Sequence, residues 1–167
     1  VVSKTYPDTY HQYVNLKSTY ITEFTKSVKN NEKLLAKNEI INFFDDYVTG
    51  GLDRLTLFKK QLKSLLREYE TVEITIKGFA SPLAKSEYNT NLSKRRISTL
   101  INYFESTDNQ YFKELIKSQR LIIHSAPFGE VKADSNASDD LKNTRKSIYS
   151  PQAALERRIE IQKVIFK

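Results

Sequence analysis

A strand pattern that ends in a glycine and leads into a helix pattern constrains the fold of this chain most strongly. In residues 72–77, apolar and polar residues alternate: Val72, Ile74 and Ile76 against Glu73, Thr75 and Lys77. This period of two predicts a β-strand with one covered face, ended by Gly78. Beyond Ser86, a residue suited to capping a helix, an apolar stripe recurs at helical spacing: Leu92, Ile97, Leu100, Ile101 and Phe104. A helix is therefore predicted to follow the strand after one short loop.

Three apolar patterns before this strand, and one after it, are typical of helices. Aromatic and aliphatic residues recur at helical intervals in residues 6–29, 34–47 and 53–69. The pair Gly50-Gly51 predicts a helix stop between the second and third of these segments. A shorter helix is predicted over residues 109–117. The N-terminal third of the chain is therefore expected to be helical.

Two further segments predict strands, separated by a long polar loop. Leu121-Ile122-Ile123 is a continuous apolar run, which is typical of a central strand. Residues 126–151 are rich in Ser, Asn and Asp and predict an extended loop. Residues 159–166 alternate as a closing strand, with a break near Lys163 that indicates a bulge. This order of elements predicts an α+β fold, a two-layer sandwich with helices packed on one face of a small mixed β-sheet.

The length of 167 residues suits one domain with its own core. We expect residues 1–52 to form an N-terminal helical part and residues 53–166 to form the core of that single domain. The chain begins Val-Val and contains no methionine, so we expect it to be a piece of a longer protein. It contains no membrane-spanning apolar run or signal segment. Any contact with a membrane is therefore expected only through the missing part.

Composition narrows the class of function. The net charge of +7 favours an anionic partner, although a solvated basic surface explains it equally well. The basic residues are dispersed and no nucleic-acid-binding motif is present, so nucleic acid is not expected as a partner. The chain has no cysteine and two distant histidines, which argues against a metal site or another cofactor. Because no catalytic motif is present either, the protein is predicted not to be an enzyme.

The loop between the strand at 72–77 and the following helix is the predicted ligand site. Strand carboxyl ends and helix N-termini form crevices whose free N–H groups and helix dipole favour an anion. Asn89, Leu92, Ser93 and Arg96 are spaced by three and four residues and share one helix face. Arg96 is suited to bind a carboxylate with two parallel hydrogen bonds. The alternatives are that Arg96 pairs with an acidic side chain of the domain itself and that Asn89 only caps backbone groups.

These residues resemble a known family. Residues 78–98, GFASPLAKSEYNTNLSKRRIS, carry Gly78, Asn89, Leu92-Ser93 and Arg96 at the spacing of the motif GHTDxxGxxxxNxxLSxxRA. Residues 156–161, ERRIEI, are similar to a closing NRRVEI strand. Both motifs are typical of the OmpA-like peptidoglycan-binding domain, and the resemblance covers residues 53–166. The residues of the first motif resemble those of a subgroup found in envelope proteins of Bacteroidetes-type bacteria.

The resemblance implies a fold, a ligand and a location. It implies a βαβαβ order and a non-catalytic module that binds the diaminopimelate residue of the peptidoglycan stem peptide. Such a module tethers an outer-membrane or periplasmic protein to the wall, and the resemblance leaves homodimerisation open. Arg96 would bind a diaminopimelate carboxylate, helped by backbone amides near Ser81. The implied ligand-binding residues are Arg96, Ser81, Asn89, Phe79, Ala80 and Leu92.

Among the departures of the chain from the family motif, those at Ser81 and Ala84 bear most on ligand binding. Ser81 stands where the family has the aspartate that neutralises the diaminopimelate ammonium, and Ala84 replaces the second glycine. A hydroxyl accepts a hydrogen bond but supplies no charge, and charge-assisted hydrogen bonds are about twice as strong. Three outcomes follow. A carboxylate of the long loop, such as Asp134, Asp139 or Asp140, replaces the charge; the ligand is a different stem residue; or the domain has become a structural or protein-interaction module without wall binding.

Overall fold

A computed structural model describes residue 12 and residues 14–79, 86–129 and 148–167 of the chain. Within these ranges the fold is α+β, with helices and a three-stranded mixed sheet. This confirms the predicted fold class. From residue 72 onward, the described elements follow the order strand, helices, strand, helix, strand.

The N-terminal part is helical, as predicted. Helix α1 is Lys17–Thr25 and helix α2 is Lys33–Phe43, joined through a short 3₁₀ turn at Asn30–Glu32. A π-helical segment, Phe44–Thr49, follows α2 and leads directly into helix α3, Gly50–Glu68.

The predicted helix stop at Gly50-Gly51 is therefore wrong. Gly50 has helical dihedral angles of φ −62° and ψ −31°, and its N–H donates to the Asp45 carbonyl. A Cβ at this position would lie 3.0 Å from the Asp45 oxygen. Arg54 donates from Nη1 to the Asp46 carbonyl at 3.0 Å. The glycine thus lets the wider π turn close, and Arg54 binds a carbonyl of that turn, so the helix continues.

The sheet has the strand order β2-β1-β3, with β1 at Val72–Phe79, β2 at Leu121–Gly129 and β3 at Ile159–Phe166. Strand β1 pairs in parallel with β2 and antiparallel with β3. Two predictions about the strands are corrected. Gly78 does not end β1, because Phe79 still donates its N–H to the Arg158 carbonyl. Among the described strands, β2 lies at an edge of the sheet, and its apolar run reflects packing under the helices, not a central position.

The predicted bulge in the last strand is confirmed. Thr75 pairs with Lys163, whereas the next residue of β1, Ile76, pairs with Ile161, so Gln162 is the extra residue. The bulge restores the alternation of apolar residues on both sides of it. Part of the predicted loop over 126–151 is regular, because β2 extends to Gly129 and helix α6, Pro151–Glu156, begins at its end.

The core lies between the sheet and helix α4, Ser86–Ser106. Val72, Ile74 and Ile76 are fully buried on the helix-facing side of β1, as their alternation predicts. The other buried members of this cluster come from α3, α4, β2 and residue 112: Leu55, Leu62, Leu66, Ile97, Leu100, Tyr103, Phe104, Phe112 and Leu121.

A second hydrophobic cluster joins helices α1 and α2 to α6. Its buried members are Tyr20, Phe24, Ala36, Ile40, Phe43, Phe44 and Ala154. Arg157 links helix α1 to the segment before α6. It donates hydrogen bonds to the Tyr20 hydroxyl at 3.0 Å and to the Ile148 carbonyl at 2.6 Å. The N-terminal helices thus pack against the segment that leads into β3.

The short helix predicted over 109–117 begins two residues later, as α5, Tyr111–Lys117. Asp108, Asn109 and Gln110 all have positive φ, at 54°, 54° and 61°. This left-handed turn reverses the chain after α4 and delays the start of α5. It is held to α3 by two ion pairs, from Asp108 to Lys59 at 3.2 Å and to Lys63 at 3.3 Å.

Candidate functional site

The junction between β1 and α4 depends on a close approach at Gly78. A Cβ at this position would lie 2.7 Å from the Ser93 carbonyl oxygen and 3.0 Å from Cγ1 of Ile97. Such contacts are tighter than a side chain tolerates, so only glycine lets α4 lie this close to β1. The first residue of the motif therefore determines how far the helix stands from the strand end.

Arg96 reaches from the middle of α4 back to the end of β1. Its Nη1 donates a hydrogen bond to the Phe79 carbonyl oxygen at 2.8 Å, and the residue is half-buried. Phe79 itself is 4% exposed. The structure thus brings these two predicted site residues into direct contact and places a guanidinium group at the carboxyl end of the central strand.

The remaining motif residues on α4 line its inner side. Asn89 is 1% exposed and Ser93 is fully buried, and the Ser93 hydroxyl donates to the Thr90 carbonyl at 2.8 Å. Leu92 is half-buried, whereas the adjacent Arg95 is exposed. The predicted common face is therefore confirmed. At 1% exposure, the Asn89 amide lies inside the junction instead of on its surface.

Several predicted positions lie outside the described residues. They are Ala80, Ser81, Ala84, Asp134, Asp139 and Asp140. Of the six predicted ligand-binding residues, Phe79, Asn89, Leu92 and Arg96 are described.

Arg158 is a site residue that the sequence reasoning did not single out. Its guanidinium carbon lies 4.1 Å from the centre of the Phe79 ring, a cation–π distance. Its Nε donates to Glu160 at 2.7 Å and its Nη1 to the Leu155 carbonyl at 3.3 Å. The available signal was the spacing in ERRIEI, because Glu156 and Glu160 stand two residues before and two residues after Arg158.

An arginine contacts Phe79 on each side, Arg158 over the ring and Arg96 at the carbonyl oxygen. On the ring side, Arg158 contacts Glu160 and lies 3.8 Å from Glu156. The hydrogen bond from Arg158 lowers the pKa of the Glu160 carboxyl below its usual range, against the opposing effect of burial. On the carbonyl side, Arg96 donates one hydrogen bond to the neutral Phe79 oxygen. A guanidinium has five N–H donors, so this bond does not preclude a carboxylate ligand.

Within the described ranges, no cluster of histidine and carboxylate side chains could hold a metal ion. None of the helices in those ranges is long and apolar enough to cross a membrane. The described chemistry of the junction is that of cation, amide and aromatic groups. Groups of these kinds are suited to binding an anion.

Comparisons of this chain with protein-family models, with curated proteins and with solved structures gave no match.

Proposed function

We propose that this chain is a non-catalytic cell-wall-binding module of the OmpA-like type, which binds the diaminopimelate-containing stem peptide of peptidoglycan at the junction of β1 and α4. In this role it tethers an outer-membrane or periplasmic protein to the wall. The observation that carries the proposal is the contact of Arg96 with Phe79, because it holds a guanidinium at the strand end where the motif requires one.

Two further observations support the proposal. Two described residues of the motif, Gly78 and Ser93, form the close contact between β1 and α4, because only a residue without a Cβ fits against the Ser93 carbonyl oxygen. From residue 72 to residue 166, the described elements run strand, helices, strand, helix, strand, which is compatible with a βαβαβ unit. A guanidinium at such a junction suits a carboxylate because the planar fork of N–H donors matches two carboxylate oxygens.

Binding to purified sacculi tests the proposal. The folded chain is expected to sediment with peptidoglycan sacculi that contain diaminopimelate, and Arg96→Ala is expected to weaken this binding about 10- to 100-fold, the usual loss for a hydrogen bond to a charged group. Arg95→Ala is the matched control, because Arg95 is the adjacent arginine on the exposed side of α4. Wild-type protein that stays in the supernatant would contradict the proposal.

A soluble ligand sharpens the same test. A stem peptide that ends in diaminopimelate should bind in a calorimetric titration, and amidation of the diaminopimelate side-chain carboxylate should weaken binding to the same extent as Arg96→Ala does. Ser81 supplies no charge for the ligand ammonium. We therefore expect acetylation of that ammonium to reduce affinity less than amidation of the carboxylate does.

Two observations favour a second candidate function, a structural or protein-interaction module without wall binding. Arg96 already has a structural task at Phe79, and Ser81 replaces the family aspartate. In that case neither sacculi nor the stem peptide binds, and Arg96→Ala alters only the stability of the fold. Capture of envelope proteins that does not depend on Arg96 would support this second function.

A further inference from the structure

The turn between α1 and α2 exposes two adjacent leucines at the start of a helix. Leu34 is 70% exposed and Leu35 is 66% exposed, the highest values among the large apolar side chains of the described residues. We call residues 26–37 the α1–α2 tip. Exposed large apolar side chains that are adjacent in space mark contact sites more often than isolated ones do.

Among the described residues, Leu34 and Leu35 belong to neither hydrophobic cluster. Helix α2 packs against α1 and α6 through its buried residues Ala36, Ile40 and Phe43, which belong to the N-terminal hydrophobic cluster. Leu34 and Leu35 are outside that cluster and precede its first member on the helix. Within the described part of the chain, these exposed leucines therefore do not contribute to the hydrophobic core.

The α1–α2 tip also contains four lysines. Lys26, Lys29, Lys33 and Lys37 are all exposed, and Glu32 is the single acidic residue of the tip, so its local charge is +3. No ion pair within the described ranges involves any of these four lysines. The tip thus carries two exposed leucines together with lysines that form no ion pair within the described ranges.

We infer that the α1–α2 tip docks onto a lipid bilayer surface with anionic headgroups, with Leu34 and Leu35 entering the interface and the lysines lying among the headgroups. A basic helix with a few exposed leucines binds such a surface through buried apolar area together with attraction to anionic lipid. This contact differs from the expectation that a membrane is reached only through a missing part of the chain.

The positive charge of the tip favours an anionic bilayer over a second copy of the chain as its partner. A two-fold contact through the tip would bring the same four lysines of both copies together, because an isologous interface sets one patch against itself. Nucleic acid would match the lysines but leave the leucines in water. An anionic bilayer satisfies both features at once.

The absence of tryptophan from the chain provides a direct test of insertion. Leu35→Trp places one fluorophore at the tip, and Leu57→Trp is the matched control, because Leu57 is 55% exposed on α3. Vesicles made of equal parts phosphatidylglycerol and phosphatidylcholine should shift the emission of Leu35→Trp to shorter wavelength and leave that of Leu57→Trp unchanged. An unshifted Leu35→Trp spectrum would overturn the inference.

Sedimentation with the same vesicles separates the two contributions. Replacing both Leu34 and Leu35 by Gln should weaken binding at least about tenfold. Replacing both Lys29 and Lys33 by Gln should weaken it about 30-fold, at about 1 kcal/mol for each lysine near an anionic surface. Control replacements of the exposed Lys60 and Lys113 by Gln should leave binding unchanged.

The remaining outcomes also decide the matter. Equal binding to pure phosphatidylcholine would contradict the role of the lysines, and a dimer that the leucine replacements dissociate would assign the tip to a second copy. Arg96→Ala should bind vesicles as wild type does. Loss of wall binding and loss of vesicle binding are therefore measured independently.

Discussion

Arg96 donates a hydrogen bond from Nη1 to the carbonyl oxygen of Phe79 at 2.8 Å, which joins the middle of helix α4 to the last residue of strand β1. This bond crosses the interface between the two layers of the fold. The residue proposed to anchor the ligand is thus also part of the structure that holds the ligand site. Any test of Arg96 must therefore separate its effect on stability from its effect on binding.

Arg96→Ala is expected to lower the free energy of unfolding by about 1–2 kcal/mol, because a part-buried hydrogen bond to the backbone is lost. Arg95→Ala should change it by less than about 0.5 kcal/mol, since Arg95 is exposed. Urea unfolding followed by circular dichroism measures both values. If the two variants are equally stable, the contact with Phe79 does not stabilise the fold.

Gly78→Ala is expected to destabilise the domain by about 2–4 kcal/mol, because the new methyl would lie 2.7 Å from the Ser93 carbonyl oxygen and push α4 off β1. Gly51→Ala is a control of opposite sign. Gly51 lies within helix α3, and its nearest atom is a side-chain nitrogen of Arg54 at 3.9 Å. That replacement should stabilise by about 0.5–1 kcal/mol. Thermal unfolding of both variants should show shifts in opposite directions.

The fold class was predictable because it depends on patterns that are local in sequence. The alternation in β1 and the helical stripe of α4 each indicate which side of the element is buried. In the structure, those sides are the buried ones. The bulge at Gln162 was predictable for the same reason, since a break in alternation is itself a local signal.

Features that depend on tertiary contacts were not predictable. A glycine pair normally ends a helix, but Gly50 is used to close a π turn that Arg54 stabilises by binding the Asp46 carbonyl eight residues earlier. The apolar run of β2 is equally compatible with a central or an edge strand, because helices cover it on one side. The position of Arg158 over Phe79 joins residues that are far apart in the chain.

Arg158→Gln is expected to raise the pKa of the Glu160 carboxyl toward its ordinary value of 4.5, since the hydrogen bond from Arg158 is the largest cause of its lowered pKa. The effect is measured as the chemical shift of the Glu160 side chain during an acid titration by NMR. Arg67→Gln, a change at an exposed residue of α3, should leave that titration unchanged. A Glu160 pKa that stays low in Arg158→Gln would contradict this assignment.

Arg120→Ala is expected to destabilise the domain by about 2 kcal/mol, because Arg120 binds the end of helix α3 through the carbonyls of Leu66, Tyr69 and Glu70. Arg120→Lys should recover only part of this loss, since an ammonium cannot reproduce the planar fork of donors. Arg67→Ala, at the exposed last turn of the same helix, should cost less than about 0.5 kcal/mol. Equal stability of Arg120→Lys and wild type in urea would show that charge alone stabilises this helix end.

Asp108→Asn is expected to destabilise the domain in a way that depends on pH. Burial raises the pKa of Asp108, but its contacts with Lys59 and Lys63 outweigh burial and hold the pKa below the ordinary value of 3.8. A carboxyl with a lowered pKa stabilises the fold above its unfolded-state pKa and loses that contribution as the pH falls through its folded-state pKa. Asparagine tolerates the left-handed backbone at this position. Chemical unfolding should therefore show a loss of about 2 kcal/mol near neutral pH, and this loss should shrink as the pH falls below about 4. Asp45→Asn, which removes the partner of Lys17 at 3.6 Å on the surface, should cause a loss near zero at every pH.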